Sequence, residues 1–230
     1  MKFRLEVFDS LPSTATLMAA RAAEEAAPAG LAILARQQTA GRGTQGRAWQ
    51  SPPGNLHLSV LLRPAAPLRI APQWALLAAV ALHDAAGAAT RLKWPNDLML
   101  GDAKAGGILT QSAATADGMI DWLTLGIGVN LAHAPELPGR ATAALGAEPP
   151  EEFAARLLAA LAVRAETHAS AGFAPIRAAW MAAGPPLGAA LSLQQGASRH
   201  NGRYEGLSPS GSLLLAIEGR VLEFHAGEVV

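Results

Sequence analysis

Three segments of the sequence combine residue types that can bind and activate an anionic ligand. The first, Gly41 to Trp49, reads Gly-Arg-Gly-Thr-Gln-Gly-Arg-Ala-Trp. Its glycines let the backbone approach a ligand closely and expose N–H groups. Arg42 and Arg47 carry planar guanidinium groups that suit phosphate or carboxylate, and Trp49 offers an apolar wall. Because Gly-rich matches have low specificity, the segment alone fits a solvated surface loop equally well.

The second segment, Lys93-Trp94-Pro95-Asn96-Asp97, presents an asparagine and an aspartate after a rigid proline bend. Such a pair suits hydrated Mg²⁺, which keeps most of its waters and takes few protein ligands. Lys104 follows at a short distance and can stabilise charge at a reacting phosphorus or carboxylate. Taken alone, a Pro-Asn-Asp turn flanked by solvated lysines explains this segment more simply.

The third segment, Gly126 to Asn130, places alternate glycines in an apolar strand. Glycine weakens a strand unless something packs closely against the backbone, so a bulge, a neighbouring strand or a ligand each account for the pattern. The six histidines show no metal-ligand spacing and are interpreted as ordinary surface or core residues. The sequence contains no P-loop motif. It also contains no cysteine, which excludes disulfides, thiolate metal sites and a cysteine nucleophile.

Alternating and apolar patterns predict the elements that must position these segments. Strands are predicted over 2–8, 31–36, 56–62, 90–94, 97–100, 106–112 and 122–131. Helices are predicted from Ser13 or Thr14 to about Ala27, and over 72–87, 151–169 and 176–183. The stretch 37–55 shows neither the hydrophobic periodicity of a strand nor that of a helix, and it is predicted to be one long loop.

Composition changes at Gly184-Pro185-Pro186, which is predicted to be a linker between residues 1–184 and 185–230. Beyond it, short strands are predicted over 189–195, 203–207, 212–217 and 220–224. The turns between them are predicted at Asn201-Gly202, Pro209-Ser210-Gly211 and Glu218-Gly219. Tight turns at this spacing favour a small SH3-like β-barrel.

The bulk properties restrict the class of protein. The 230 residues are 50% hydrophobic and have a formal net charge of zero, so no global field drives the chain onto nucleic acid or an anionic membrane. The N-terminus lacks an apolar signal core, and the most apolar stretch, 74–89, is too short to span a bilayer. We expect a cytoplasmic protein that binds neither membrane nor nucleic acid.

In this order, the segments resemble the signature motifs of the biotin–protein ligase family. The family's Gly-Arg-Gly-x-x-Gly-Arg-x-Trp matches residues 41–49, and its Lys-Trp-Pro-Asn-Asp matches residues 93–97. Its Lys-x-x-Gly-Ile is present from Lys104 to Ile108, and its Gly-x-Gly-x-Asn from Gly126 to Asn130. Residues 202–207 and 211–213 are similar to the family's C-terminal SH3-like domain. The resemblance therefore covers nearly the whole chain.

The resemblance implies an α+β fold. It consists of a catalytic domain with helices around a mixed β-sheet, like that of class II aminoacyl-tRNA synthetases and biotin synthetases, followed by a small SH3-like barrel. It also implies a two-step reaction with biotin, ATP and Mg²⁺. Biotin is activated to biotinyl-5′-AMP and then transferred to a lysine of the biotin carboxyl carrier protein or domain of a carboxylase. Some relatives carry an N-terminal DNA-binding domain, which we expect to be lacking here, and some form homodimers.

The resemblance also assigns site residues. Arg42, Lys104 and Asp97 are assigned catalytic roles, and Asn96 and Asp97 are assigned to the metal. The positions assigned to biotin or nucleotide binding are Ser13, Thr14, Gln38, Gly41, Arg42, Gly43, Arg47, Trp49, Lys93, Asn96, Lys104, Gly106, Gly107, Gly126, Gly128 and Asn130.

Three positions depart from the family's pattern, namely Ala15, Thr44 and Gln111, where members often have Asn, Arg and Glu. Thr44 bears on how tightly the adenylate is retained. Two alternative functions stay open, a lipoate or octanoate ligase of the same superfamily and a non-catalytic SH3-like binding module.

Overall fold

The computed structural model describes residues 1–23, 27–137 and 139–230 and contains two β-sheets with helices around the larger one. The strands of the larger sheet are β1 (Arg4–Leu11), β2 (Leu31–Gln38), β3 (Leu56–Leu62), β4 (Thr90–Lys93), β5 (Asp97–Leu100), β6 (Ala103–Ala114) and β7 (Ile120–Val129). The helices are α1 (Thr14–Ala23), α2 (Ala71–Ala86), α3 (Pro150–Ala171) and α4 (Ala174–Ala183). The smaller sheet contains β8 (Ala190–Gln195), β9 (Ser198–Leu207), β10 (Leu213–Ile217), β11 (Arg220–Phe224) and β12 (Glu228–Val229).

The larger sheet is mixed and has the order β1-β2-β3-β7-β6-β5-β4. Only β1 and β2 run parallel, and every other neighbouring pair is antiparallel. Since successive side chains of a strand point to opposite faces, β3 divides its residues between two layers. Leu58 and Val60 join the main core, whereas Leu61 packs with Met18 of α1.

Helices α2, α3 and α4 cover one face of this sheet, and α1 covers part of the other. Helix α2 is buried along most of its length, from Trp74 to Leu82, as its nearly continuous apolar sequence predicts. Helix α3 begins with a proline followed by Glu151 and Glu152, where negative charge favours a helix N-terminus, and ends before Gly172. The face beside α1 remains partly uncovered and holds the candidate site.

The smaller sheet is antiparallel and packs against the larger domain through buried residues of both. Its order is β11-β10-β9-β8-β12. Trp180 of α4 and Tyr204 of β9 are fully buried in the shared core. The indole N–H of Trp94 donates to the carbonyl of Gly211 at 3.3 Å. The sheets are therefore held together by both apolar packing and hydrogen bonds.

The α+β class predicted from the sequence, with a mixed sheet followed by a C-terminal β-module, is confirmed. Every predicted helix and strand is present, with bounds that differ by a few residues. The predicted end of the first helix, at about Ala27, falls on a stretch in which residues 24–26 lie outside the described part of the chain.

The predicted turn at Asn201-Gly202 is wrong. These residues lie inside β9, paired with Ser192 and Leu191 of β8, and the turn falls at Gly196. Gly196 adopts a positive φ of 58°, which glycine accepts without steric cost. The short strand β12, which pairs with β8, was not predicted. Over the described residues, no helix combines the length and apolar character needed to cross a membrane.

Candidate active site

The floor of the candidate site is a row of residues that crosses four strands. Strand pairing aligns His57 of β3 with Gly128 of β7, Gly128 with Gly107 of β6, and Gly107 with Asp97 of β5. Directly opposed residues share a face of the sheet, so two glycines leave a trench between a histidine and an aspartate. With strands about 4.8 Å apart, this row spans roughly 14 Å, which suits an elongated ligand.

A chain of hydrogen bonds forms one wall of the trench. Ser59 Oγ donates to Thr14 Oγ1 at 2.9 Å, and Thr14 Oγ1 donates to Gln38 Oε1 at 3.1 Å. Gln38 Oε1 also accepts the Thr14 backbone N–H at 2.8 Å, and Gln38 Nε2 donates to Ser51 Oγ at 2.8 Å. Ser59 and Thr14 are buried. Because each partner orients the next, this wall presents polar atoms in a defined arrangement.

Ser13 lies at the N-terminus of α1, where its Oγ accepts the backbone N–H of Thr16 at 3.4 Å. This is the position at which serine satisfies an unpaired helix N–H. The bond leaves the hydroxyl hydrogen available for donation to a ligand. Helix α1 begins at the edge of the trench, and its N-terminal residues Ser13 and Thr14 therefore lie at the trench.

Residues 41–49, the ligand loop, form a compact hairpin-like turn over the trench. Arg42 and Ala48 form an isolated antiparallel bridge, and Gly43 N–H donates to the carbonyl of Arg47 at 2.8 Å. Gly41 has no room for a side chain, since an added Cβ would lie 2.4 Å from the Trp49 carbonyl oxygen. The long loop predicted between β2 and β3 thus has defined structure at its centre.

Trp49 packs directly on the glycine floor. A Cβ added to Gly128 would lie 2.6 to 2.8 Å from three atoms of the Trp49 indole. The ring also lies near Lys104, whose Nζ is 5.8 Å from the ring centroid. Glycine at 128 is therefore required for the ring to reach the sheet.

Lys104 and Asp97 form an ion pair at the far end of the trench, with side chains only 13% and 8% exposed. Lys104 Nζ donates to Asp97 Oδ1. The Lys104 side chain lies over Gly107, whose missing Cβ would be 3.3 Å from both Cε and Nζ. This arrangement places one cation where the trench ends.

Asn96 and Asp97 supply the oxygen atoms available for a metal ion. Asn96 Nδ2 donates a hydrogen bond to the Ile108 carbonyl at 2.7 Å. The side-chain carbonyl oxygen of Asn96 therefore remains available to coordinate a metal ion. Within the described ranges, no three His, Asp or Glu side chains cluster as a metal cage. This donor set fits Mg²⁺, which binds through one or two protein ligands together with water and substrate phosphates.

The trench, the ligand loop and the α1 N-terminus line an open cleft. Eleven of the residues assigned by resemblance line it, namely Ser13, Thr14, Gln38, Arg42, Gly43, Trp49, Asn96, Lys104, Gly107, Gly126 and Gly128. Arg42 is exposed and, among the described residues, has no ion-pair partner within 4.0 Å. It is thus a free cation at the mouth of the cleft.

Other predicted residues lie beside the cleft rather than in its wall. Arg47 points away and pairs with Glu228. Gly106 is buried on the opposite face of β6, where an added Cβ would meet the Gly128 carbonyl at 2.9 Å. Asn130 is buried and donates to the carbonyls of Lys104 and Ala143, while its Oδ1 has no partner among the described residues. Lys93 and Asp97 line a neighbouring cavity.

His57, interpreted from the sequence as an ordinary surface or core residue, lies in the wall of the cleft. It is 1% exposed, its Nδ1 has no hydrogen-bond partner among the described residues, and its Nε2 lies 3.2 Å from the Pro52 carbonyl. Burial lowers the pKa of His57, against a smaller opposing effect of the Pro52 carbonyl. The two-residue period of a strand could have indicated this position, because His57 and Ser59 must face the same side of β3. Other lining residues that were not predicted are Ala15, Thr44, Leu58, Ile108, Leu109 and Ile127.

Comparison with known proteins identifies similar sequences and structures. Residues 7–130 match the model of the Biotin/lipoate A/B protein ligase family. The chain is 39% identical over 200 residues to the biotin--[acetyl-CoA-carboxylase] ligase of Paracoccus denitrificans, covering 80% of this chain and 82% of that protein. It is 31% identical over 237 residues to the bifunctional ligase/repressor BirA of Bacillus subtilis, covering 97% and 73%. The structure of biotin protein ligase from Aquifex aeolicus in complex with biotin and ATP superimposes with a TM-score of 0.80 at 25% identity, covering 99% and 97%.

Proposed function

The chain belongs to the Biotin/lipoate A/B protein ligase family, and from this premise we propose that it is an ATP-dependent biotin–protein ligase. It activates biotin with MgATP to biotinyl-5′-AMP and transfers the biotinyl group to a lysine of a biotin carboxyl carrier protein. The observation that carries the choice of biotin is the polar wall formed by Ser13, Thr14 and Gln38. A ureido ring has both N–H and C=O groups for such a wall, whereas the dithiolane ring of lipoate has neither. The Ser13 hydroxyl is buried and donates to no acceptor among the described residues, so covering it with an apolar ring would cost binding energy.

In the proposed binding mode, the ureido ring lies against Ser13, Thr14 and Gln38. The acyl chain then follows the glycine trench, and the carboxylate reaches Lys104 at its end. The Trp49 ring packs on Gly128 in the structure, so it must shift off this glycine to admit the acyl chain, and it then covers the chain and excludes water.

In the first step, an oxygen of the biotin carboxylate attacks the α-phosphorus of ATP, and the bond from that phosphorus to the bridging oxygen breaks with release of pyrophosphate. Lys104 and Arg42 offset the negative charge of the two anions as they meet. No protein nucleophile is needed, because the chain acts by holding the reactants in line. Asn96 and Asp97 would hold Mg²⁺, which supplies additional charge neutralisation at the phosphates.

In the second step, the neutral amine of the carrier lysine attacks the acyl carbon of the mixed anhydride. The bond from that carbon to the phosphate oxygen breaks, AMP leaves, and the nitrogen loses a proton. We assign this proton to the carboxylate of Asp97, which is paired with Lys104 at the end of the trench. A site closed by Trp49 protects the anhydride from hydrolysis before the amine arrives.

Exchange of labelled pyrophosphate into ATP tests the first step directly. We expect exchange that depends on biotin and is far slower with lipoate or octanoate at the same concentration. Labelled biotin should then become attached to a purified carrier domain, and a Lys→Arg change at the acceptor should abolish the labelling. Exchange with lipoate but not with biotin would reject the choice of biotin, and exchange with neither would reject the ligase proposal.

A further inference from the structure

Ser51 connects the polar wall of the cleft to the backbone of Trp49. Gln38 Nε2 donates to Ser51 Oγ at 2.8 Å, and Ser51 Oγ donates to the Trp49 carbonyl at 3.1 Å. These two hydrogen bonds form the Ser51 link. Gln38 and Trp49 both line the cleft, whereas Ser51 is 8% exposed and lies behind the lining residues. Ser51 therefore joins two residues of the site without reaching a ligand itself.

The direction of both bonds is set by the backbone of Thr14. Its N–H lies 2.8 Å from one side-chain atom of Gln38, and because a backbone N–H can only donate, that atom is the carbonyl oxygen. The amide nitrogen of Gln38 therefore faces Ser51 and donates to it. The single hydrogen of the Ser51 hydroxyl is left to donate to Trp49. Loss of this hydroxyl would thus remove a partner from Gln38 and from Trp49 at once.

The Ser51 link closes around Gly41, the first residue of the ligand loop. A Cβ added at Gly41 would lie 2.4 Å from the Trp49 carbonyl oxygen, 2.5 Å from Ser51 Oγ and 2.9 Å from Gln38 Nε2. The Trp49 N–H also donates to the Gly41 carbonyl at 2.9 Å, so both backbone polar groups of Trp49 are held. The indole ring, which packs on Gly128, is therefore the part of Trp49 that can move while its backbone stays in place.

We propose that Ser51 is a positioning residue that couples recognition of the ligand ring at Gln38 to the placement of the Trp49 ring. This inference rests on the proposed function, in which the ureido ring lies against Gln38 and the Trp49 ring covers the acyl chain. Ser51 anchors the Trp49 backbone, so the indole pivots off Gly128 and returns over the chain. A ligand that fixes the Gln38 amide also fixes Ser51, because each hydrogen bond orients the next.

Biotin affinity, measured by calorimetry, tests the bond between Ser51 and Gln38. Ser51→Ala should weaken binding about 5- to 30-fold, because it leaves the amide nitrogen of Gln38 without this partner. In a Gln38→Ala background, the same change should alter the affinity less than about twofold, since the link is already broken. Ser13→Ala is the matched background. Ser13 belongs to the wall but bonds to Thr16 and not to Gln38, so the full effect of Ser51→Ala should persist there.

The lifetime of biotinyl-5′-AMP tests the bond between Ser51 and Trp49. The adenylate is formed without carrier protein, ATP is removed, and release of AMP is followed. In this loss, water attacks the acyl carbon, the bond to the phosphate oxygen breaks, and biotin, AMP and a proton are formed. Ser51→Ala should speed the loss about 3- to 10-fold, as expected for one hydrogen bond, and should have no effect in a Trp49→Ala background. Gln50→Ala is the control and should match the wild type, because Gln50 is exposed between Trp49 and Ser51.

Two results would overturn the coupling role of Ser51. One is a Ser51→Ala variant with native biotin affinity and native adenylate lifetime. The other is an effect of Ser51→Ala that multiplies with that of Gln38→Ala or of Trp49→Ala. If the alanine variant does not fold, Ser51→Cys provides the same comparisons, because a thiol of similar shape hydrogen-bonds only weakly. When the wild type shows biotin-dependent pyrophosphate exchange, either result removes the coupling and leaves the ligase function intact. Absence of that exchange rejects the ligase proposal itself.

Discussion

Arg47 of the ligand loop donates to both carboxylate oxygens of Glu228, at 3.3 Å and 3.0 Å. Glu228 belongs to β12, the last strand of the smaller sheet, and also accepts a hydrogen bond from Arg140. Burial acts to raise the pKa of Glu228, but the hydrogen bond and charge of Arg140 and the charge of Arg47 outweigh it, so the pKa is lowered. The C-terminal module thereby holds the second arginine of the ligand loop away from the cleft.

Replacing Glu228 with Gln should loosen the ligand loop. The Arg47 side chain is 46% exposed, so the lost pairing corresponds to about 1 kcal/mol or less. We expect limited proteolysis within residues 41–49 to become faster without ligand, and the KM for biotin to rise a few-fold. Glu223→Gln is the control, because Glu223 is an exposed carboxylate of the same sheet that contacts Ser210. Equal cleavage rates in both variants and the wild type would show that Glu228 does not restrain the loop.

Two alanine substitutions in β7 should distinguish the contact between Gly128 and Trp49 from the general effect of replacing a glycine in this strand. Gly128→Ala forces the Trp49 ring off the sheet, because its Cβ would lie within 2.8 Å of the indole. Gly126→Ala meets only ordinary contacts, the nearest at 3.5 Å. Near-ultraviolet circular dichroism without ligand should change in Gly128→Ala and remain as in the wild type in Gly126→Ala. A Gly128→Ala variant with native dichroism and native biotin affinity would contradict the proposed packing of Trp49.

Lys104→Ala should reduce adenylate formation on the order of 10²-fold, the typical effect of removing one donor that stabilises a developing charge. It should also lower the free energy of unfolding by about 3–5 kcal/mol, because Asp97 remains buried without its partner. The double variant Lys104→Met, Asp97→Asn removes both charges. It should recover stability in urea denaturation without recovering activity. Recovery of activity in the double variant would show that the Lys104 charge is not needed for the chemistry.

The burial of His57 predicts a pH dependence of stability. Its pKa is lower in the folded protein than the ordinary value of 6.5, so below that value the unfolded chain binds more protons than the folded one. The contribution of neutral His57 to stability is therefore complete above pH 6.5 and is lost as the pH falls below it. Urea denaturation between pH 8 and pH 5.5 should show a smaller loss of stability for His57→Gln than for the wild type. The remaining loss reflects His83 and His168, whose pKa values are also lowered by burial. Identical pH dependence of the two proteins would contradict this role of His57.

The sequence by itself determined the elements and the chemical composition of the site. Periodicity located every helix and strand of the larger sheet, since the two faces of β3 and the buried length of α2 follow from local alternation and apolar content. Through the family resemblance, the motifs between Gly41 and Asn130 predicted eight of the residues that line the cleft, whereas Arg47, Lys93, Gly106 and Asn130 lie beside it. The elements and the motifs are local in sequence, so they can be recognised without the tertiary structure.

Only the tertiary structure decided how distant residues are aligned. The row formed by His57, Gly128, Gly107 and Asp97 depends on the register of four strands that are far apart in sequence. Strand period predicts which face a side chain points to, but packing and long-range pairing set the register. The same long-range pairing moved the turn from Asn201-Gly202 to Gly196 and joined Arg47 to Glu228. The site's residue types therefore follow from local sequence, whereas the direction of the trench and the restraint on the ligand loop arise from contacts between distant segments.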